Sequence, residues 1–327
     1  MDDPALELPV GVPDRTAVIT FLGVLQIVLG VLAVMMVPMQ VASQAMVAHK
    51  GLAPLGMLIF SAIAGAGLYL LAATLLIWTG VGLLRGRRWA SAVSLVVSWL
   101  WLMTGLVSIL MVIVSIPAVI STPMPDGKPM PPHVATVLVL VSLGITTVMF
   151  LVLPGVLVFF HSRPAVRANF EHLDKGPCWT DSCPLPVLGY VFLMAIGVLG
   201  LLVSLPVAVL PLWGRLLTGW PARGVAALLL AGQVWLTLGV FRLKRYAWWA
   251  ALAWHPFWIF SCAATLWIIE MKELYGALGY AGKHLDALEP VESVWGVYPW
   301  MLVLVGVLLI GYQIWMLKYF KPEVSAE

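Results

Sequence analysis

The sequence predicts an all-α integral membrane protein: eight transmembrane helices forming two tandem, parallel four-helix repeats, with both termini cytoplasmic. Three observations carry this. The chain is 62% hydrophobic with a mean hydropathy of +1.01, whereas a soluble domain is about 45–50% apolar by a similar count. Its apolar residues fall in eight stretches free of Asp, Glu, Lys and Arg: 16–49, 51–84, 89–125, 129–162, 182–214, 224–241, 246–269 and 293–317. A short basic corner, GLLRGRRWA at 82–90, returns as GVFRLKRYA at 239–247.

A helix needs roughly 17–25 mainly apolar residues to cross a hydrocarbon core about 30 Å thick. The charge-free stretches therefore place spans at 17–38, 57–84, 89–116, 134–160, 187–211, 223–241, 246–270 and 296–318. Transmembrane strands alternate apolar and polar residues, and these runs do not. A helix also satisfies every backbone N–H and C=O within one segment, as hydrocarbon requires. The organisation expected is a tail at 1–15, a first half at 16–161, a connector at 162–185 and a second half at 186–327. The tail, MDDPALELPVGVPDR, is acidic, unlike the positive start of a signal peptide, so the first span reads as an uncleaved anchor. The connector should hold a short surface helix from Val166 to Leu173, and the loop at 271–295 an amphipathic interfacial helix.

Orientation follows from the 18 Lys and Arg residues. With eight spans, twelve fall on the side of the termini: Arg15, Arg85, Arg87, Arg88, Arg163, Arg167, Lys175, Arg242, Lys244, Arg245, Lys318 and Lys321. Six fall opposite: Lys50, Lys128, Arg215, Arg223, Lys272 and Lys283. Cytoplasmic loops carry the basic excess.

The two corners belong to a longer match. At a constant offset of 157, identities run Trp78/Trp235, Gly82/Gly239, Arg85/Arg242, Arg88/Arg245, Ala90/Ala247, Leu95/Leu252 and Trp101/Trp258. The fourth span exits through Arg163-Pro164-Ala165-Val166-Arg167-Ala168 and the eighth through Lys321-Pro322-Glu323-Val324-Ser325-Ala326, at an offset of 158. Both halves hold an even number of spans, which makes a parallel repeat about an axis along the membrane normal. The basic corner followed by tryptophan and the R-P-x-V-x-A exit resemble bacterial multi-span membrane proteins. That resemblance implies the bacterial cytoplasmic membrane and carries over no functional residue.

His255 is the most informative polar residue within a span. It lies nine residues after Tyr246, about 14 Å along a helix at 1.5 Å per residue, near mid-membrane. Pro256 follows, frees the carbonyl of Leu252 and should kink the helix. The repeat places Ser98 opposite His255 and Trp101 opposite Trp258, so His255, Ser98, Trp258 and Trp101 form a candidate intramembrane polar site. The favoured reading is a neutral histidine bonded to a carbonyl of the next helix. A proton relay, a ligand contact and haem ligation remain as alternatives. The basic corners, Arg85, Arg87, Arg88, Arg242, Lys244 and Arg245, are candidate contacts to anionic lipid headgroups.

The other signals are weaker. Cys178 and Cys183 are spaced C-x4-C, and zinc sites commonly use closer pairs and four ligands, so no metal is expected. Most of the 16 tryptophans read as interfacial belts or packing. Small pairs such as Ser61/Gly65 and Ala227/Ala231 read as helix contacts. No hydrolase, zincin or P-loop motif is present. The expectation is a non-enzymatic inner-membrane protein without a cofactor, a scaffold or accessory subunit partnered by lipid and other membrane subunits, with no nucleic acid. The runner-up is a facilitator for a small neutral or apolar solute through the interface between the halves. A weaker third is a quinone- or haem-associated redox subunit using His255.

Overall fold

The computed structural model describes residues 16–51, 53–121, 131–286, 292 and 294–320. The N-terminal tail, most of the proline-rich loop after the third span, and the exit motif at 321–326 lie outside the described residues. Eight helices are long and apolar enough to cross a membrane: Thr16–His49, Leu55–Leu84, Arg88–Pro117, Pro132–His161, Leu185–Ser204, Gly219–Phe241, Arg245–Ile268 and Val297–Tyr319. In none is more than 33% of the most apolar window buried. Side chains such as Ile63, Leu68, Trp220 and Leu228 are more than 60% exposed. Such a surface suits hydrocarbon, where apolar groups lose nothing by facing outward. The chain is a multi-pass α-helical membrane protein.

In chain order the elements are α1 (Thr16–His49), α2 (Leu55–Leu84), α3 (Arg88–Ser121), α4 (Pro132–Thr147), a π-helical turn (Val148–Val152), α5 (Leu153–His161), α6 (Pro164–Leu173) and α7 (Leu185–Ser204). Then come β1 (Val209–Leu212), β2 (Arg215–Thr218), α8 (Gly219–Phe241), α9 (Arg245–Ile268), α10 (Met271–Ala277), α11 (Lys283–Asp286) and α12 (Val297–Met316). Contacts group them into two compact units: 1–51, 58–108 and 145–185, and 52–57, 109–144 and 186–327.

In the first unit, Ile19 and Leu22 of α1, Leu83, Ala90, Leu157, Val166 and Phe170 make one buried cluster. The connector helix expected at Val166–Leu173 is present as α6. It buries Val166 and Phe170, one turn apart, and exposes the Arg167–Glu171 pair at 2.9 Å. The π-helical turn precedes Pro154, which has no N–H for the Phe150 carbonyl; the Leu153 N–H donates instead to Val148.

The two basic corners are built alike. At the first, Arg87 N–H donates to the Gly82 carbonyl at 2.9 Å and Gly86 N–H to Leu83 at 2.9 Å; at the second, Lys244 N–H donates to Gly239 at 3.0 Å and Leu243 N–H to Val240 at 2.9 Å. This is the Schellman pattern, which ends a helix on one left-handed residue. Gly86 (φ 66°) and Leu243 (φ 56°) take that role. Gly82 and Gly239 let the next helix approach: a Cβ there would meet the Cβ of Ala90 at 2.6 Å or of Ala247 at 2.5 Å. Trp78 stacks on Trp89 and Trp235 on Tyr246, each at 29°.

The fifth span differs from its expected bounds of 187–211. Its helix stops at Ser204, before Pro206, and a β-hairpin follows, so the protein is not purely helical. The first strand and the turn carry no charge, which hid the hairpin from a count of charges up to Arg215. Trp213 (φ 44°) and Gly214 (φ 83°) form its two-residue turn, both with the positive φ that a type I′ turn requires. The turn tip docks on α9. Trp213 N–H donates to Ser261 Oγ and Gly214 N–H to Thr265 Oγ1, both at 3.0 Å, and Trp213 meets Phe257 edge-on. Ser261 lies seven residues before the end of α9, about 10 Å inside it. Non-helical backbone survives at that depth only where protein satisfies its polar groups.

Three variants check this account. A left-handed residue with a side chain carries a cost of about 1–2 kcal/mol, so Gly86→Ala should lower the unfolding free energy by about that amount, and its Cβ would also press on Leu173 at 3.2 Å. Leu243→Gly should raise the thermal midpoint in detergent; a fall would contradict the strain at the second corner. Ser261→Ala combined with Thr265→Val should cost about 1–3 kcal/mol for each buried N–H left unpaired. The Trp213 and Gly214 amides should then lose their protection from hydrogen exchange, and retained protection would mean that the two hydroxyls do not hold the hairpin.

Candidate functional site

The polar residues of the second unit meet at His255. Four of its helices contribute: Tyr190 from α7, Gln233 from α8, His255 and Trp254 from α9, and Gln313 from α12. Tyr190, Gln233 and Gln313 are at most 5% exposed.

Donors and acceptors fix the histidine tautomer. Trp254 Nε1–H donates to Gln233 Oε1 at 3.0 Å, so Gln233 turns its amide nitrogen toward Met194 O at 3.4 Å and His255 Nε2 at 3.3 Å. His255 Nε2 must therefore accept, and the hydrogen sits on Nδ1. There it faces the Ala251 carbonyl at 2.9 Å and the Tyr190 hydroxyl oxygen at 2.8 Å. The ring is neutral, with both nitrogens engaged. Neither is free for an axial bond to iron in this arrangement.

Gln313 closes the group. Its Nε2 donates to the Tyr190 hydroxyl and lies 3.2 Å from His255 Nδ1. Its backbone carbonyl accepts from Trp248 Nε1–H at 2.9 Å, and Trp248 is 2% exposed. Gln313 Oε1 is buried without a donor among the described residues, while the Tyr190 hydroxyl proton needs an acceptor. Helix α9 runs unbroken through Pro256, one residue past this group.

The other sequence-expected residues fall elsewhere. Ser98 belongs to the first unit, is 2% exposed and donates to Ser94 O at 2.7 Å. Ser94 in turn donates to Gln26 Oε1 at 3.2 Å, a smaller polar contact between α1 and α3. Trp101 meets Phe150 edge-on. Trp258 shares α9 with His255 but makes no polar contact to it, and its Nε1–H is buried without a partner among the described residues. Both ring nitrogens of His161, at the end of α5, are likewise buried without a partner among the described residues.

The first basic corner is internally committed. Arg87 pairs with Asp174 at 3.6 Å, Arg88 pairs with Asp181, and the Arg88 backbone N–H donates to Asp174 Oδ2 at 3.2 Å. A carboxylate thus sits at the N-terminus of α3, where the helix dipole favours it. Asp181 also accepts from Cys178 N–H at 3.0 Å. These arginines clamp the connector. Arg85, Arg242 and Arg245 are exposed and have no acidic partner among the described residues; Lys244 stands at the N-cap position of α9 without a side-chain cap bond. Cys178, Cys183 and Cys262 are free thiols, and burial pushes the Cys183 thiol up to about 11.

Sequence reasoning found His255 and missed Tyr190, Gln233 and Gln313. The available signal was an uncharged polar side chain inside each apolar run, which a search for ionisable groups passes over. No protein family, curated protein or solved structure matches the chain.

If Tyr190 and Gln313 act as one unit, their losses should not add. Tyr190→Phe and Gln313→Leu should each destabilise by about 1–3 kcal/mol through orphaned partners. The double variant should cost less than the sum by at least about 1 kcal/mol, read from unfolding in detergent. Strict additivity would show that the two are not coupled.

Proposed function

We propose that this is a non-enzymatic protein of the bacterial cytoplasmic membrane, a scaffold or accessory subunit of a membrane complex, with both termini cytoplasmic. The observation that carries the reading is the commitment of His255. Gln233, Ala251 and Tyr190 engage both ring nitrogens, so neither is open to a ligand in this arrangement. The short segments between spans leave little room for a catalytic domain. The twelve-to-six basic asymmetry supports the orientation.

The same reading takes the chain as two tandem four-helix repeats. In its favour, the corners share the Schellman pattern, the glycine–alanine approach and the aromatic stack, details that resemblance between apolar helices does not require. Anionic lipid contact then narrows to Arg85, Arg242 and Arg245, since Arg87 and Arg88 hold the connector.

Mild solubilisation of native membranes tests the role. The expected result is a stoichiometric partner polypeptide that survives size exclusion and crosslinks to the protein before solubilisation. A monodisperse, partner-free protein would contradict it and leave the facilitator reading, whose structural argument is the Trp258 N–H, buried without a partner among the described residues.

A further inference from the structure

Where α9 ends at Ile268, the chain leaves the span and opens a cleft of about 290 Å³. This lies just below the roughly 300–1,000 Å³ of pockets that bury a whole small molecule, so it suits a headgroup. Its walls are of two kinds. Trp267, Ile268 and Trp295 give apolar surface, with Trp267 50% and Ile268 69% exposed, while Glu270 and Glu292 give carboxylates. Glu292 is paired with Lys272 at 3.4 Å. Glu270 stands at the N-cap of α10 without making the side-chain cap bond, and has no ionic partner among the described residues. Among the described residues, two carboxylates against one ammonium leave the cleft one negative charge in excess.

The excess charge calls for a cation, and the walls say which kind. A calcium-like ion takes six to eight oxygen ligands, and no group of three or more candidate ligands occurs among the described residues. Indole surfaces instead attract organic ammonium groups. Trp295 is fixed by its N–H bond to the Ile269 carbonyl at 3.2 Å, and Trp267 by edge-on contact with Trp300. The cleft lies at the end of a span, the level of lipid headgroups, and its Ile268 side is exposed where acyl chains run.

We propose that this cleft binds the ammonium headgroup of a zwitterionic phospholipid, with Glu270 as counter-ion and Trp267 and Trp295 as its aromatic walls. The full-length protein, exchanged into mixed vesicles of phosphatidylethanolamine and phosphatidylglycerol and then released for native mass spectrometry, should retain phosphatidylethanolamine preferentially. Glu270→Gln should cut that retention about five-fold, the loss of one partly desolvated charge pair, and Trp267→Leu should weaken it further. Both variants should keep the parent's helical circular dichroism. Equal retention of the two lipids, or unchanged retention in Glu270→Gln, overturns the proposal. Displacement of the lipid by equimolar tetramethylammonium would also overturn it, by assigning the site to a free cation.

Discussion

Everything at the depth of His255 depends on one constraint: a polar group there has no water, so its partner must come from the chain itself. Tyr190, Gln233, His255 and Gln313 meet that demand together. An apolar contact between α7, α8, α9 and α12 could slide, because lipid is as good a neighbour as leucine. A hydrogen bond cannot slide without orphaning both ends, at a cost of about 1–3 kcal/mol each. The polar group therefore sets the register of four helices whose outer faces are free to meet lipid. Trp248, bonded to the Gln313 carbonyl, extends the same control toward the start of α9.

The same constraint shapes the periphery. The hairpin at Val209–Thr218 reaches into the depth of α9 only because Ser261 and Thr265 take its turn amides. The corners close with backbone bonds and bring consecutive helices together through Gly82 and Gly239. In the first unit the connector's carboxylates then occupy the N-terminus of α3, so charges that read as an open basic patch are internally paired. A cluster of arginines in sequence is a statement about composition. Whether it is available to a ligand depends on acids nearly a hundred residues away.

The spans were legible because an apolar run of about 18 or more residues without a charge is long enough to cross hydrocarbon and too long for an ordinary buried strand. The connector helix was legible from its proline start and its spacing of Val166 and Phe170. The end of the fifth span was not. Residues 205–214 prolong the charge-free run of the helix before them, and only Pro206, Pro211 and the Trp213-Gly214 pair mark the change before Arg215. His255 stood out as the ionisable residue of its span, whereas its partners are neutral and come from three other helices. Their convergence is a tertiary fact, with no local pattern to announce it. Ser98 and Trp101 stood out only through their offset from His255 and Trp258, and each is engaged by neighbours in its own unit.

The central claim is that His255 is a neutral, fully committed member of this group. Nitrogen NMR of the protein labelled on the histidine ring tests it most directly, with His255→Phe used to assign the signal. At neutral pH the account predicts a protonated Nδ1 and a hydrogen-bonded, unprotonated Nε2 for His255, with the Nε2 signal shifting in Gln233→Leu. A ring protonated on Nε2 or on both nitrogens, or a signal indifferent to Gln233, would contradict it.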